Sequence, residues 1–149
     1  MYLLDTNVIS LVAPARQLGA AEIRIAEWLR RMSDRLHLSV VTTAEVESGI
    51  SQLSRNGATA KAAALSAWLE DLVDHYAIRI HPLDVQTARL AGQLYDRAVG
   101  NGHKPVFEDA AIAATAHLRN FTVVTRNSTH FSHFSLPFIN PYDGLPLND

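Results

Sequence analysis

Cysteine is missing from all 149 residues. That excludes disulfides, cysteine-ligated zinc fingers and thiol catalysis, and it suits a reducing cytosol. No stretch approaches the roughly 18 consecutive apolar residues of a membrane span. The opening "MYLLDTN" has neither a basic n-region nor a long apolar run, so it does not read as a signal peptide. A cytoplasmic protein without a membrane segment is expected. Bulk positive charge is lacking too: the formal net charge is −2, which gives no general attraction to nucleic acid or to an anionic bilayer. Lysine is scarce, since eleven of the 13 basic residues are arginines. The guanidinium fork suits phosphate, so a local phosphate-binding surface stays open, although most of these arginines fit solvated helix faces.

What is present is globular in kind. The chain is 48% hydrophobic and 19% charged, enough to bury a core in one domain and too apolar for disorder. Tyr2–Leu4 reads as a short buried strand, with Thr6 capping a helix over Asn7–Val12 that Pro14 ends. Ile25, Trp28, Leu29 and Met32 make one face of a second helix. "LHLSVV" reads as a strand, and "TTAEVESGISQL" as a helix carrying Val46, Ile50 and Leu53 on one side. The clearest helix is "ALSAWLEDLVDHY", with a stripe of Leu65, Trp68, Leu69, Leu72, Val73 and Tyr76. "AIRI" follows as a strand closed by Pro82. A helix over "DVQTARLAGQLYDRAV" is expected to turn Ala88, Ala91, Leu94, Tyr95 and Ala98 inward. After the loop "GNGHKP" come an alanine-rich helix "VFEDAAIAATAHL", a strand "FTVVT" and a short strand in "LPFIN". Alternating strands and helices predict a three-layer α/β/α domain with a central, mainly parallel sheet of four to five strands. In such sheets ligands bind outside the carboxyl ends of the strands.

Three acids fall at that edge. Asp5 ends the first strand, Glu45 lies in the first turn of the helix after "LSVV", and Asp109 lies in the first turn of the alanine-rich helix. Each has a plain structural explanation: an Asx turn for Asp5, a capping box Thr42-x-x-Glu45, and a dipole contact for Asp109. Together they point further. Converging carboxylates in apolar surroundings repel, and a hard dication such as Mg²⁺ or Mn²⁺ relieves them.

The segments "LLDTNVIS", "SVVTTAEVESGI", "EDAAIAATA" and "VVTRN" followed by "INPY" stand in order across nearly the whole chain. In this the chain resembles the PIN-domain ribonucleases, and among them the VapC/FitB-like toxins. The resemblance implies a single PIN domain over residues 1–149 and a Mg²⁺- or Mn²⁺-dependent endoribonuclease that hydrolyses RNA phosphodiesters by activated water. It implies an antitoxin as partner, one segment lying across the active-site groove, and a homodimer. Asp5, Glu45 and Asp109 match the family's acids and would hold the metal. Thr6 and Asn7 match the polar pair that steadies the first acid. Thr125 matches the hydroxyl after the fourth strand, and Arg126 is placed for a phosphate oxygen, with a solvated arginine as the alternative. Where the family often carries a fourth acid, this chain has Asn127 and His130, weaker ligands without negative charge. His130-x-x-His133 has zinc-like spacing but lacks a third ligand. The large apolar residues of "WLRRM" and "AWLEDLV" suit either the core or a dimer interface.

Two other readings remain. A non-cleaving PIN-fold module that grips RNA or protein would explain the missing fourth acid. A receiver-like phospho-acceptor would also bind Mg²⁺ at a sheet edge, but it needs an Asp closing a mid-chain strand, and neither "LSVV" nor "AIRI" supplies one.

Overall fold

The computed structural model describes residues 1–14 and 16–146. Ala15 and residues 147–149, the last of the domain expected over 1–149, lie outside the described residues. Five strands form one parallel sheet: β1 (Tyr2–Leu4), β2 (Leu36–Ser39), β3 (Ile80–His81), β4 (Thr122–Val124) and β5 (Phe138–Ile139). The order is β3-β2-β1-β4-β5, and every pairing is parallel. β1 is therefore central, with β2 and β4 beside it. A receiver-type sheet runs 2-1-3-4-5 instead, so the strand order separates this chain from that class.

Among the described residues seven α-helices flank the sheet: α1 (Thr6–Ile9), α2 (Ala20–Arg31), α3 (Val40–Arg55), α4 (Thr59–Tyr76), α5 (Val85–Gly100), α6 (Phe107–Arg119) and α7 (Ser128–Phe131). Among the described residues none is long and apolar enough to cross a membrane. The period-2 alternation of the strands divides the core in two. Leu4, Leu36, Leu38 and Val124 point to one face, where Trp28, Leu29, Ile50, Leu69 and Leu72 cover them. Leu3 and Val123 point to the other, under α5, α6 and the aromatic pair Phe131 and Phe134. α6 is the tightest element, buried without a break from Asp109 to Ala116. Its alanines let the helix lie close on the sheet, so the position of Asp109 is fixed by packing over two turns.

Several local expectations are corrected. Thr6 is the first residue of α1, not its cap, because the Asp5 carboxylate accepts the Thr6 N–H at 2.7 Å and takes the cap itself. The first helix also tightens into a 3₁₀ turn over Ser10–Val12. Val40 and Val41, strand formers by propensity, already belong to α3, which Ser39 caps through Val41 N–H. Glu45 is thus beyond the first turn, and the capping box is not made: Thr42 is fully buried and its hydroxyl finds no partner among the described residues. "AIRI" yields only Ile80–His81 as strand. Ala77 takes φ 37°, a left-handed turn that L residues seldom adopt, and Ala77–Arg79 form a 3₁₀ turn with Ile78 exposed. On α5 the buried positions are Thr87, Ala91, Leu94 and Ala98, and Tyr95 faces outward. Val73 on α4 is likewise exposed. Trp28 is a core residue, while Trp68 is half-buried against the same cluster.

Candidate active site

The register of the sheet brings the site together. Leu4 lies opposite Val124, so Asp5 and Thr125, one residue on, leave the C-terminal edge side by side. The Thr125 hydroxyl donates to Asp5 Oδ2 at 2.7 Å across 120 residues of sequence. Asn7 Nδ2 donates to the same oxygen at 2.7 Å. Asp5 is 4% exposed, and these donors are what make a buried carboxylate tolerable there. Asn7 also accepts the Arg126 N–H through its own Oδ1 at 3.1 Å, and Thr125 accepts the Asn127 N–H at 2.9 Å. The turn after β4 is thereby locked to the turn after β1.

The other two acids reach the same edge from helices on the two faces of the sheet. Glu45 of α3 accepts the Thr6 hydroxyl at Oε2. Asp109 of α6 is 6% exposed, and its Oδ2 meets His130 Nδ1 at 2.8 Å. The three carboxylates feel one another. Burial pushes the Asp5 carboxyl above its ordinary range, and the Asp109 charge adds to the rise against the pull of its donors. Glu45 is raised as well, by burial first and then by the charges of Asp5, Asp109 and Glu108. Net like-charge repulsion is the signature of a place that favours a cation.

The donor set fits a hard ion. One lone-pair position on Asp5 Oδ1 and all of Glu45 Oε1 and Asp109 Oδ1 are uncommitted among the described hydrogen bonds. No group of three acidic or imidazole residues is gathered tightly enough, among the described residues, to cage an ion directly. Mg²⁺ needs only one or two carboxylates and keeps several waters.

The remaining expected positions divide. Thr6, Asn7 and Thr125 all lie in the network, but Thr6 serves two acids, Asp5 through its N–H and Glu45 through its hydroxyl. Arg126 is exposed beside it. Asn127 enters through its backbone N–H. His130 is half-exposed and turned onto Asp109, whereas His133 stacks on His103 with ring centroids 3.7 Å apart. The His130-x-x-His133 pair therefore diverges. Glu47 and Glu108 are exposed. Sequence reasoning missed the His130–Asp109 contact and also Tyr142, whose only signal was its place after "INP". A groove of about 620 Å³ is lined by Thr6 and Glu45 together with Ile50, Leu65 and Trp68, and by Arg16 and Lys61.

Comparison with known proteins places this architecture. The family model described as "PIN domain" matches residues 2–135. The chain is 34% identical to toxin FitB of Neisseria gonorrhoeae, over 95% of this chain and 99% of that one. It is 31% identical to VapC ribonuclease Y4jK of Sinorhizobium fredii, over 96% and 99%. The crystal structure of FitAcB from Neisseria gonorrhoeae superposes with a TM-score of 0.81 at 33% identity, covering 95% of this chain and 99% of that chain.

Proposed function

The chain belongs to the PIN-domain family and is a nuclease toxin of the VapC/FitB kind, and from that premise we propose that Asp5, Glu45 and Asp109 form a Mg²⁺- or Mn²⁺-binding centre that hydrolyses RNA phosphodiesters. PIN nucleases are typically metal-dependent. The observation that carries the proposal is the gathering of three carboxylates at one sheet edge, two of them nearly buried, with burial first and neighbouring charge second holding Asp5 and Glu45 above their ordinary range. When bound, such an ion supplies Lewis-acid chemistry: it acidifies water and polarises a phosphoryl oxygen.

The chain's own residues do the rest. Thr125 and Asn7 pin Asp5 Oδ2 and leave Oδ1 as the working oxygen. Thr6 holds Glu45 by one oxygen in the same way. His130 holds Asp109 Oδ2 and takes the place of a fourth acid without adding negative charge, so it acts as a positioning residue. Arg126, anchored by its N–H to Asn7, offers its guanidinium to a phosphate oxygen of the substrate. With a net charge of −2, such a local cation matters more than any general field.

The partner class is an antitoxin protein. The groove beside Glu45 offers a place for its segment: apolar Ile50, Leu65 and Trp68 with Glu45 among them suit an amphipathic stretch that brings a basic residue to Glu45. A second copy of the chain would cover the exposed Tyr95 of α5 and Phe107 of α6, whose rings lie 6.4 Å apart, with exposed Val99 and Val106 on the same two helices' ends.

The test is cleavage of a mixed cellular RNA pool by purified, antitoxin-free protein, with Mg²⁺ or Mn²⁺ and with EDTA, beside an Asp109→Asn control. Discrete cuts that need both the ion and Asp109 are expected. A folded protein that never cuts under either ion would favour the non-cleaving module.

A further inference from the structure

We propose that Tyr142 is a base-stacking platform, its ring receiving one base of single-stranded RNA while the neighbouring Arg126 takes the adjoining phosphate. This rests on the nuclease reading and extends it to how substrate is gripped.

The placement comes from the sheet. Ile139 ends β5 opposite Val124, and its carbonyl accepts Thr125 N–H at 3.0 Å. The chain then turns on Asn140, which accepts Tyr142 N–H at its side chain and Asp143 N–H at its carbonyl, both at 3.1 Å. Tyr142 therefore stands just past the edge that carries Asp5. Its hydroxyl donates to Glu22 Oε1 at 3.2 Å, which ties the tip of the ring to the first turn of α2. The Arg126 guanidinium lies over the ring, 5.9 Å from its centroid. Arg126 N–H meets Asn7, and Asn7 meets Asp5, so the residue next to the ring is hydrogen-bonded into the acid site.

Tyr142 is 37% exposed, and its hydroxyl is engaged by Glu22, so the ring is the part of the side chain left to meet a ligand. A ring beside a guanidinium is the pairing that single-stranded nucleic acid requires: every base has a π-face to stack, and every step has a phosphate to neutralise. The tether to Glu22 holds the ring ready and limits the rotamer entropy lost on stacking.

The test is binding of a short, labelled single-stranded RNA of mixed sequence to the full chain carrying Asp109→Asn, which removes cleavage from the measurement. Adding Tyr142→Leu should weaken binding on the order of tenfold. Tyr142→Trp should retain most of it, and Tyr142→Phe, which keeps the ring and loses the Glu22 tether, should lose only a small part. On an oligomer of ribose phosphate without bases, the protein with Tyr142 and the Tyr142→Leu variant should bind alike. Circular dichroism confirms the fold of each variant. Unchanged RNA binding with Tyr142→Leu overturns the proposal and leaves the nuclease reading standing. Equal losses with Tyr142→Leu and Tyr142→Phe also overturn it, since the tether rather than the ring would then matter. No RNA binding even with Tyr142 present would overturn the proposal and count against RNA as the substrate of the acid site.

Discussion

Helix α6 joins two clusters of ionisable groups that solve the same problem in opposite ways. At its first turn Asp109 faces Asp5 and Glu45. At its last residue Arg119 Nε donates to His81 Nδ1 at 2.7 Å, and His81 Nε2 meets His37 Nδ1 at 3.0 Å. The two ends are about 15 Å apart along ten residues of helix. The acid-to-base polarity of α6 agrees with its macrodipole. Burial disfavours charge in both clusters, but the signs differ. It raises the carboxyls of Asp5 and Glu45. It pushes His81 down to about 4, helped by the nearby Arg119 charge, and it lowers His37 as well, helped by Arg79, the N-terminus and Arg119. In the imidazole cluster the hydrogen bonds fix both rings as neutral tautomers: His81 accepts from Arg119 and so donates to His37. The one formal charge in that contact is the Arg119 guanidinium. In the carboxylate cluster Asp5 and Glu45 are held by neutral hydroxyls, an amide and a backbone N–H, and His130 holds Asp109 alone, so two acids keep no cationic partner among the described contacts. The lesson is that burial alone does not mark a functional site. Several like charges drawn to one sheet edge do.

The comparison predicts a large asymmetry. Asp109→Asn should lower metal-dependent cleavage by more than about a hundredfold, the upper range for losing an outer-shell partner of a metal. In EDTA near neutral pH the same substitution should raise the thermal midpoint, because it removes one of the repelling charges. Loss of cleavage with a lower midpoint would mean that Asp109 acts by holding the fold.

Thr125→Val comes next. It takes a donor from buried Asp5 and should weaken Mn²⁺ binding by about 10- to 100-fold, as read by calorimetric titration. An unaltered titration would show that Asp5 needs no such positioning.

The pH dependences should run in opposite directions. Asp5 and Glu45 have raised folded-state values, so without metal they cost stability as pH climbs through their unfolded values of 3.8 and 4.5. His81 has a folded value of about 4 against 6.5 unfolded, so its contribution is present above pH 6.5 and is lost as pH falls toward 4. Urea midpoints across that window should show His81→Phe flattening the acid-side decline. They should show Mn²⁺ cancelling the carboxylate cost at neutral pH. The His81→Phe effect is the smallest of these, and RNA cleavage at neutral pH should not register it.

Much of this was legible in the sequence because the strand-to-helix edges are local features. Asp5 follows three apolar residues and Asp109 opens an alanine-rich helix, and both landed where pattern reasoning placed them. The errors came where tertiary packing overrode local preference. Val40 and Val41 look like strand but start α3, and that shift took Glu45 out of its capping box and onto Thr6. Tyr95 sits in register with an apolar stripe, yet the inner side of α5 is filled by Thr87, Ala91, Leu94 and Ala98. The His130–Asp109 and Tyr142–Glu22 contacts span 21 and 120 residues, and no local signal predicts a pairing at such distance.

The most direct measurement is a calorimetric titration of the purified chain with Mn²⁺, with Asp5→Asn and Asp109→Asn beside it and thermal midpoints read in the same buffers. Saturable binding that raises the parent's midpoint and weakens sharply in both variants is the predicted result. Equal Mn²⁺ binding by all three proteins, or none by the parent, would contradict the assignment of these carboxylates to one metal centre.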